Sequence, residues 1–579
     1  MADMDIVYKN KALERNLILL NITATSIVVI TALAQLGFYR PILPDKIMYA
    51  ILIAAAILFV ADKFIRFFNA RSKKDCLKTF WFEFLSIPVL AVLYYTSGLL
   101  WALGVYLLLQ IITKVCRTVI NLAASGKSPA LTFVGSFIAI IFIGSILLML
   151  PKSHTTASMS YIDALFTSTS ATCVTGLTVK DTGADFTFIG QIIILCMIQL
   201  GGLGIIVFGA VFALLLGQAL GMRQAAAMQD LLSERTSNMI THFIGFIFIF
   251  TISFEALGAI LLHNMWLKAA PLPAHIESLW FCSIFHSISS FCNAGFGLFS
   301  DNLIRYNSNW QVYAVICPLI ILGGLGFSVL HNLIDYSWDK LKLFIYSKKT
   351  HFSLAAPEKI QLQTKIVLLA TVILIIAGMA GLLILQNNTG SGHFAVRDAF
   401  FQSVTARTAG FNTVNINSFS PPSKLLLMIL MFIGGSPGGS AGGIKTVTIA
   451  VIIMAVYSAA RKRNEVEIFK RSVPLSIVGR ALTVISMFTL MFFTAAFLLT
   501  ITERHSNLEF SSIMFEASSA LGTVGLSCGI TPALTTAGKI IIIITMLVGR
   551  LGPLTLLTLL TFNIKSARFN YPTQAVVVG

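Results

Sequence analysis

The sequence predicts an all-α membrane protein: four membrane-helix/pore-helix/membrane-helix repeats around one pseudo-fourfold pore, preceded by four extra N-terminal transmembrane helices. Of its 579 residues, 56% are hydrophobic and only 11% are charged, whereas about 25% charged residues is usual in soluble proteins. Apolar segments of about 20 residues recur, each long enough to cross a hydrocarbon core of about 30 Å. A motif that occurs four times predicts the pseudo-fourfold arrangement.

The distribution of charge predicts the orientation in the lipid bilayer. The 41 basic and 24 acidic residues give a net charge of +17, which in a soluble protein would suggest a nucleic-acid partner. Here the basic residues gather in loops, so we expect no nucleic-acid partner. The positive-inside rule places these loops and both termini on the cytoplasmic side of the cytoplasmic membrane. The basic loops are Arg71–Lys78, Asp335–Lys359 and Ala459–Pro474.

The sequence shows no signature of an enzyme or of a metal centre. The eight cysteines have no paired spacing and no CxxC motif, which argues against a disulfide framework and against a thiolate metal site. There is no HExxH motif and no candidate set of serine, histidine and acid at one membrane face. We therefore expect no catalytic residues, and no cofactor other than transported ions.

Residues 1–128 are predicted to form a separate four-helix transmembrane bundle, because they lack the repeated motif. Its sparse charges resemble in placement those of a voltage-sensor bundle, but the fourth segment lacks the regularly spaced arginines that voltage sensing requires. Packing or assembly is therefore the first interpretation, and voltage sensing is the alternative. The apolar segments are Leu17–Gly37, Ile47–Phe68, Thr79–Tyr95 and Leu99–Leu122, and the charges are Asp62, Lys63, Arg66, Glu83, Lys114 and Arg117.

The repeated motif is a phenylalanine followed ten residues later by a glycine, behind a short polar run and before a long apolar segment. The pairs are Phe166–Gly176, Phe285–Gly295, Phe400–Gly410 and Phe515–Gly525. Four copies of one unit around an axis can form a pore lined by backbone carbonyl groups, which is how proteins select dehydrated potassium ions.

Each unit is predicted to contain an outer helix, a polar re-entrant segment and an inner helix. Irregular backbone at membrane depth must be buried in protein or line water, so the polar segments should be short helices followed by bent strands near the axis. The units are residues 129–235, 236–358, 359–473 and 474–579. The outer helices are Leu131–Leu150, His242–His263, Lys365–Leu385 and Pro474–Ile501. The inner helices are Phe186–Leu215, Trp310–Ile334, a helix from Ser423 that breaks at Gly434, and Ala537–Phe562.

Five residues that end at each glycine are the candidate ion-binding filter. Their side chains differ while the glycine is shared, which favours a role for the backbone, since glycine reaches positive φ and can turn successive carbonyls toward the axis. The stretches are Thr172, Cys173, Val174, Thr175 and Gly176; Phe291, Cys292, Asn293, Ala294 and Gly295; Ala406, Arg407, Thr408, Ala409 and Gly410; and Leu521, Gly522, Thr523, Val524 and Gly525.

Two of these stretches depart from a simple pattern. Arg407 would repel a cation if it pointed into the pore, so its side chain should face away, where Glu516 or neighbouring pore-helix residues could pair with it. Phe291 and Asn293 make the second stretch the most degenerate of the four.

A second repeated mark follows each filter glycine by 24 to 28 residues. It reads GGLG from Gly201, GGLG from Gly323, GGSP from Gly434 and GRLG from Gly549. The third copy expands into a glycine-rich stretch through which no helix persists. The residues of interest there are Gly434, Gly435, Pro437, Gly438, Gly439, Gly442, Gly443 and Lys445, with Arg550 in the fourth copy.

From about residue 129 to the end, the sequence resembles the Trk/Ktr/HKT superfamily of potassium transporters. The motifs that carry the resemblance are SATCVTGLTV, SVTARTAGFNTV, GGSPGGSAGGIKT and GRLGPLTL, at Ser170–Val179, Ser403–Val414, Gly434–Thr446 and Gly549–Leu556. The resemblance implies one pseudo-fourfold pore per subunit, a homodimer, and potassium bound at the filter backbone. Serine in place of the first filter glycine is associated with sodium preference in this family, so Gly176 implies potassium selectivity.

The resemblance also implies a gate and a partner. The glycine-rich stretch would be an intramembrane gating loop beneath the filter, and Arg550 would face the cavity and hydrogen-bond carbonyls of that loop. A structural ion pair between Arg550 and Glu255 is the alternative. Regulation would come from a cytoplasmic ring of nucleotide-binding subunits in a separate chain.

Three other functions compete with a gated potassium pathway. The chain could be the ion-binding subunit of an ATP-driven potassium pump complex, which has the same pore plan. A membrane enzyme or scaffold lacks supporting motifs. A phosphate loop at Gly438–Thr446 fails, because Ile444 separates Gly443 from Lys445 and no strand precedes the motif.

Overall fold

The structure is a computed structural model of the 579-residue chain. It describes residues 9–40, 42–99, 102–111, 113–114, 129–155, 159–204, 240–268, 278–346, 360–387, 394–463, 465–506 and 508–552. Several sequence predictions fall outside the described residues: the fourth N-terminal segment beyond residue 114, inner-helix residues 205–215 and 553–562, residues 347–359 of the second basic loop, and the chain ends 1–8 and 563–579.

Helices α1 to α5 form the N-terminal bundle. α1 begins where the Asn10 side chain accepts hydrogen bonds from the amides of Ala12 and Leu13, which is an ordinary N-cap. Apolar residues of α1, α2 and α5 pack into one core. The short α3 falls in the first basic loop and was not predicted. The helices are α1 Lys11–Leu36, α2 Asp45–Asn69, α3 Lys73–Thr79, α4 Trp81–Ser97 and α5 Ala102–Ile111.

The bundle encloses a cluster of charged side chains that neutralise one another. Lys63 forms ion pairs with Glu83 and, at 3.4 Å, with Asp62, and Arg66 is 2.9 Å from the same Asp62. The ammonium group of Lys114 lies 3.4 Å from the centre of an aromatic ring of α2. Charges at membrane depth are costly unless they are paired, and these partners satisfy that requirement within the bundle. The role of the bundle stays a prediction.

Four repeats follow, each with an outer helix, a pore helix and an inner helix. Three of the inner helices begin at a serine or threonine N-cap, Thr187, Ser420 and Thr535. The outer helices are α6 Pro129–Leu148, α9 Ile240–Leu262, α13 Leu362–Asn387 and α17 Leu475–Thr502. The pore helices are α7 Tyr161–Thr172, α10 Leu279–Phe291, α14 Val396–Thr405 and α18 Phe510–Gly522. The inner helices are α8 Phe188–Leu203, α11 Cys317–Leu325 after a π-helical turn Val312–Ile316, α15 Pro421–Phe432 and α19 Thr536–Leu551.

The repeats close into a ring. Each pore helix packs against the outer helix of its own repeat and against the inner helix of the preceding repeat, and α7 packs against α19, so the first repeat meets the fourth. The carboxyl ends of the pore helices lead directly into the filter stretches. Because that end of a helix carries a partial negative charge, the four pore helices favour a cation at the centre of the ring.

The inner helices break at the last residue of the second glycine mark. Gly204, Gly326 and Gly552 have φ values of 81°, 87° and 78°, in the left-handed region where glycine is favoured. The predicted continuous second inner helix, Trp310–Ile334, is therefore wrong. The chain turns by 101° there into α12, Phe327–Tyr346. The first inner helix likewise ends at Leu203 and the fourth at Leu551, each before a glycine of positive φ. The predicted continuations to Leu215 and Phe562 lie outside the described residues.

Five described helices are long and apolar enough to cross a membrane, or six if the bent pair at Gly326 counts as one span. Shorter apolar helices make up the rest, so not every predicted span is a full-length helix in the described part of the chain. The third repeat departs from an all-helical unit in one further way. After the last helix of that repeat, α16 Thr446–Ala460, the chain forms a two-stranded antiparallel hairpin of β1 Val466–Ile468 and β2 Arg471–Val473.

An ion pair joins the first pore helix to the fourth inner helix, with Lys539 Nζ 2.7 Å from Asp163 Oδ1 and both side chains mostly buried. We expect Asp163→Asn to lower the free energy of unfolding by about 1–3 kcal/mol, because it leaves the ammonium group without its counter-charge. Thermal unfolding in detergent measures the change. The matched control is Arg305→Gln, which removes an ion pair whose arginine side chain is 55% exposed and should shift stability by less than about 0.5 kcal/mol. Equal midpoints for the two variants would contradict the expectation.

Candidate functional site: a ring of backbone carbonyls above a glycine-rich loop

The four filter glycines lie next to one another in cyclic order. A Cβ built on Gly176, Gly295, Gly410 or Gly525 would lie 3.0, 2.9, 3.1 or 3.0 Å from the Cα of the following glycine in the ring, with Gly525 returning to Gly176. Each such Cβ would also collide with the carbonyl oxygen that precedes the neighbouring glycine. Only glycine fits a contact this close, and four carbonyls thereby stand around one axis.

The four stretches share one backbone conformation. The residue two before each glycine has positive φ, at Val174 (55°), Asn293 (59°), Thr408 (76°) and Thr523 (49°), and so does the glycine itself, with φ between 68° and 94°. A non-glycine residue with positive φ costs about 1–3 kcal/mol of conformational free energy, and such strain persists only where the surrounding structure enforces it. Side chains that differ therefore adopt one main-chain path, which is what a site built from backbone groups requires.

Hydrogen bonds from the pore helices hold this path. The amide before the glycine donates to a carbonyl five residues earlier in repeats 1, 2 and 4, for example from Thr175 to Ser170 at 2.8 Å, but only four residues earlier in repeat 3, from Ala409 to Thr405 at 2.9 Å. The third pore helix therefore reaches its filter with one residue fewer. Consistent with this, its fully buried phenylalanine is Phe401. The pairing of Phe400 with Gly410 was wrong in register by one position, and adjacent phenylalanines concealed the shift.

The filter opens on one side into a cavity of about 600 Å³. Its floor includes all four filter glycines, and its walls carry the carboxylates Asp181 and Asp301 together with Lys180. The ring of carbonyls thus lies at the bottom of a polar basin. By the predicted orientation this basin is extracellular.

Several hydroxyl groups at the ring have no protein partner among the described residues. They are buried, and they belong to Thr172, Thr175, Thr408 and Thr523. Buried hydroxyls are normally hydrogen-bonded, so groups left free beside a ring of carbonyls are available to a bound ion or water.

The two irregular stretches turn their polar side chains away from the ring. The Asn293 amide, in the orientation that satisfies its hydrogen bonds, donates to the carbonyls of Ser290 at 3.0 Å and Ile320 at 3.1 Å. Arg407 is buried, and its Nη2 lies 3.5 Å from the carbonyl oxygen of Gly434. The suggested pairing of Arg407 with Glu516 is wrong, because Glu516 accepts hydrogen bonds from other residues of its own repeat, Ser527 and Thr531.

The glycine-rich stretch of repeat 3, which we call the Gly434–Gly443 loop, crosses beneath the filter between α15 and α16. Its amides bond to carbonyls exposed where the second inner helix breaks: Ser436 N donates to Gly324 O at 2.9 Å and Ser440 N to Gly323 O at 3.2 Å. In return Phe327 N donates to Gly438 O at 3.1 Å. Sequence reasoning missed this docking site, although the second GGLG mark was the available signal.

The remaining loop candidates lie at its ends and against the filter. Gly434 N donates to Ile444 O at 3.0 Å, and Thr446 N donates to Gly435 O at 3.0 Å, which closes the base of the loop. Lys445 Nζ donates to Ala441 O at 2.7 Å. A Cβ on Gly442 would collide with the Thr523 side chain, so the loop touches the fourth filter stretch directly. The loop also contains Pro437, Gly439 and Gly443.

Arg550, in the fourth inner helix, connects that helix to the Gly434–Gly443 loop and to the first inner helix. Its guanidinium donates to the carbonyl of Ser440 in the Gly434–Gly443 loop and to the carbonyls of Gly201 and Gly202 at the end of the first inner helix. Glu255, the alternative partner, instead accepts a hydrogen bond from Gln199 at 3.2 Å. Among the described residues Arg550 makes no ion pair with Glu255, and the contact with the loop is the one present.

Comparison with known proteins shows the family and the fold. The family model of TrkH, "Cation transport protein", matches residues 105–571. The chain belongs to the TrkH family. Among curated relatives, the Ktr system potassium uptake protein B of Bacillus subtilis is 39% identical over 457 residues, covering 78% of this chain and 96% of the relative. The potassium/sodium uptake protein NtpJ of Enterococcus hirae is 34% identical over 455 residues, covering 77% and 96%.

A solved structure shows the same fold. The crystal structure of the potassium transporter TrkH from Vibrio parahaemolyticus superposes with a TM-score of 0.58 at 18% identity, over 95% of this chain and 97% of that chain. The TrkH match begins within the predicted fourth N-terminal segment, earlier than the expected start near Pro129, and α1 to α4 precede it. The unit boundaries, and the ion-binding and gating roles of the individual residues, stay predictions.

Proposed function

We propose that this chain carries potassium across the cytoplasmic membrane into the cell through the ring of filter carbonyls, and that the Gly434–Gly443 loop gates this pathway. The observation that carries the proposal is the cyclic contact of the four filter glycines, each beside a carbonyl of the next stretch. Relatives that share more than a third of its residues over most of their length are named potassium uptake proteins of the Ktr system. Those names support potassium uptake as the function, and we propose that the ion gradient drives it.

The filter chemistry follows from the backbone path. A potassium ion sheds water when carbonyl oxygens replace its hydration shell, and the shared conformation presents such oxygens in all four stretches. The free hydroxyls of Thr175, Thr408 and Thr523 add neutral oxygen ligands. Affinity must remain weak enough for exit, which suits dipoles better than a ring of carboxylates.

The gate is proposed to be closed in the arrangement described here. The Gly434–Gly443 loop lies beneath the filter and Arg550 ties it to the first inner helix. Opening requires these hydrogen bonds to break and the loop to move aside. Movement of the Arg550 guanidinium away from the pathway would also lower the electrostatic barrier to cations. In the complete system a homodimer would provide one pathway per subunit. A cytoplasmic ring of nucleotide-binding subunits, a separate chain, would act on the loop through α16.

Uptake of rubidium into liposomes that contain this chain alone tests the proposal. We expect an outward potassium gradient to drive rubidium uptake. External potassium should suppress this uptake, because potassium and rubidium both fit a carbonyl cage, and an equal concentration of sodium should reduce it far less. Protein-free liposomes are the control. Sodium that competes as well as potassium would contradict potassium selectivity. An absence of uptake by the folded chain alone would favour the pump alternative, because a pump subunit needs its ATPase partner.

Substitution of one filter glycine tests the carbonyl ring. We expect Gly176→Ser to lower the potassium-over-sodium flux ratio at least tenfold, because its Cβ would lie 2.6 Å from the carbonyl oxygen of Ala294 and its φ of 94° disfavours any side chain. The matched control is Gly135→Ser in the outer helix of the same repeat, where a Cβ meets no atom within 4 Å. Selectivity that survives Gly176→Ser in folded protein would exclude the ring as the selective element.

Removal of the Arg550 guanidinium tests the gate. We expect Arg550→Ala to raise rubidium flux severalfold in the absence of any partner, because the Gly434–Gly443 loop loses its tie to the first inner helix, and Arg550→Lys to give a smaller increase. Arg480→Ala, an exposed arginine of α17, controls for the loss of charge. A folded Arg550→Ala protein with unchanged or lower flux would show that the arginine does not hold a gate.

A further inference from the structure

A lipid-facing groove lies beside the ends of the Gly434–Gly443 loop. It has a volume of about 380 Å³ and runs between α13 and α16, with Ile366 and Ile373 on one wall and Ile449 and Ile453 on the other. We call it the α13–α16 groove. One end lies at Ile433 and Thr446, the residues that flank the loop, and the other end, its mouth, lies at Phe469 at the tip of the β-hairpin. On α16 it extends from Thr446 to Met454, which is about 12 Å at 1.5 Å per residue.

The β-hairpin is fixed against the membrane helices and not free in solution. Its inward residues Val466, Ile468 and Val473 are buried and pack with Val451 and Ile366 of α16 and α13. The hairpin therefore lies at the cytoplasmic end of the groove, by the predicted orientation, at the depth where apolar chains meet head groups.

The turn of this hairpin has an unusual composition. Ile468 pairs with Arg471, so Phe469 and Lys470 form a two-residue turn, and both have positive φ, 49° and 61°. Such turns normally use Asn-Gly or similar pairs, because side chains disfavour this conformation. Here it turns Phe469 into the mouth of the groove while leaving half of its surface exposed, and it sets Lys470 beside Arg471. Backbone strain of this kind clusters at ligand-binding sites in proteins.

Unpaired basic side chains surround that mouth. Among nearby cations, Arg463 pairs with Glu467 at 2.6 Å and Arg461 lies on the ring of Tyr457. Within the part of the chain that the structure describes, Lys470 and Arg471 have no such partner, and both are exposed. Lys365 is exposed on α13, one helical turn before Leu369 of the groove wall.

We propose that the α13–α16 groove and its basic hairpin bind an anionic phospholipid of the cytoplasmic leaflet. One acyl chain lies in the groove against Ile449 and Ile453, and the phosphate of the head group meets Lys470 and Arg471. A single apolar trough that leads to a cluster of unneutralised cations matches a phospholipid with a negative head group, since basic residues at this depth attract the anionic lipids of that leaflet. Binding itself does not depend on the proposed gate.

Binding has a consequence for the gate that does rest on the proposed function. An acyl chain between α13 and α16 contacts Ile433 and Thr446, so it favours the arrangement in which the Gly434–Gly443 loop is held in place. We therefore expect anionic lipid to lower the flux of the isolated chain.

Native mass spectrometry of the full-length protein tests binding. In an uncharged detergent, the protein is titrated with phosphatidylglycerol and with phosphatidylcholine of the same acyl chains. We expect preferential retention of phosphatidylglycerol, weakened about 10- to 30-fold in Lys470→Gln/Arg471→Gln. The matched control, Lys340→Gln/Lys342→Gln, removes two exposed lysines of α12 and should leave retention unchanged.

A second variant blocks the groove without changing charge. Ala450→Phe adds a ring inside the trough and should weaken retention of both lipids, and gel filtration and thermal unfolding verify that each variant folds. Equal retention of phosphatidylglycerol by the wild type and by both variants would overturn the proposal. A double glutamine variant that keeps the lipid but no longer binds a cytoplasmic protein partner would also overturn it, because the hairpin would then be a protein docking surface. Lipid that binds without any effect on rubidium flux would refute only the consequence for the gate.

Discussion

The fold depends on the requirement that every backbone polar group at membrane depth finds a partner. The inner helices violate regular helix geometry at Gly204 and Gly326, and each break leaves carbonyls free. Those of Gly323 and Gly324 accept hydrogen bonds from the Gly434–Gly443 loop, and those of Gly201 and Gly202 accept from Arg550. The breaks, the loop and the arginine therefore form one hydrogen-bonded system: the carbonyls that two repeats release are used by the other two.

Close backbone contact ties this system to the filter above it. Gly201, Gly323 and Gly549 each lie against a carbonyl in the last two residues of a pore helix, so close that any Cβ there would collide with it. In the third repeat the corresponding glycine instead meets the loop, and Gly442 contacts the strained Thr523 of the fourth stretch. A displacement of the loop would consequently reach a filter residue through one van der Waals contact, without passing through a helix.

The repeated glycines allowed much of this architecture to be predicted, because a site built from main-chain groups needs glycine at fixed positions, and glycine is visible in the sequence. The positions of the four filter stretches followed from that pattern. The outer helices followed from the apolar segments, to within about three residues, and the contact of Arg550 with the loop followed from the family resemblance. The register of Phe401 did not, since two adjacent phenylalanines make a one-residue shift invisible. The 101° turn at Gly326 was missed because apolar residues continue on both sides of it, and hydropathy gives no information about the direction of the helix axis.

Other features could not be predicted from the sequence for a different reason: they depend on which groups come into contact in the folded structure. The β-hairpin has no Asn-Gly or Asp-Gly pair to announce its turn, and it forms because Val466, Ile468 and Val473 find an apolar surface on α13 and α16. The orientation of Arg407 depends on the carbonyl of Gly434, which belongs to another segment of the chain. Long-range contacts of this kind decide local conformation without leaving a periodic signal.

The cations below the filter have a common kind of partner. Arg550, Lys445 and Arg407 each donate to a backbone carbonyl of the Gly434–Gly443 loop or its flanks, and within the described residues none of them forms an ion pair. Carbonyl dipoles can hold a guanidinium or an ammonium group but do not cancel its charge, so the loop carries a positive field toward the filter. In the proposed mechanism the closed loop, with its bound positive charges, therefore repels a cation that lies below the filter. In this mechanism the ring carbonyls attract a potassium ion, while the carbonyls of the Gly434–Gly443 loop hold the positively charged side chains that repel it. The position of the loop therefore decides whether an ion that leaves the filter is repelled or can pass.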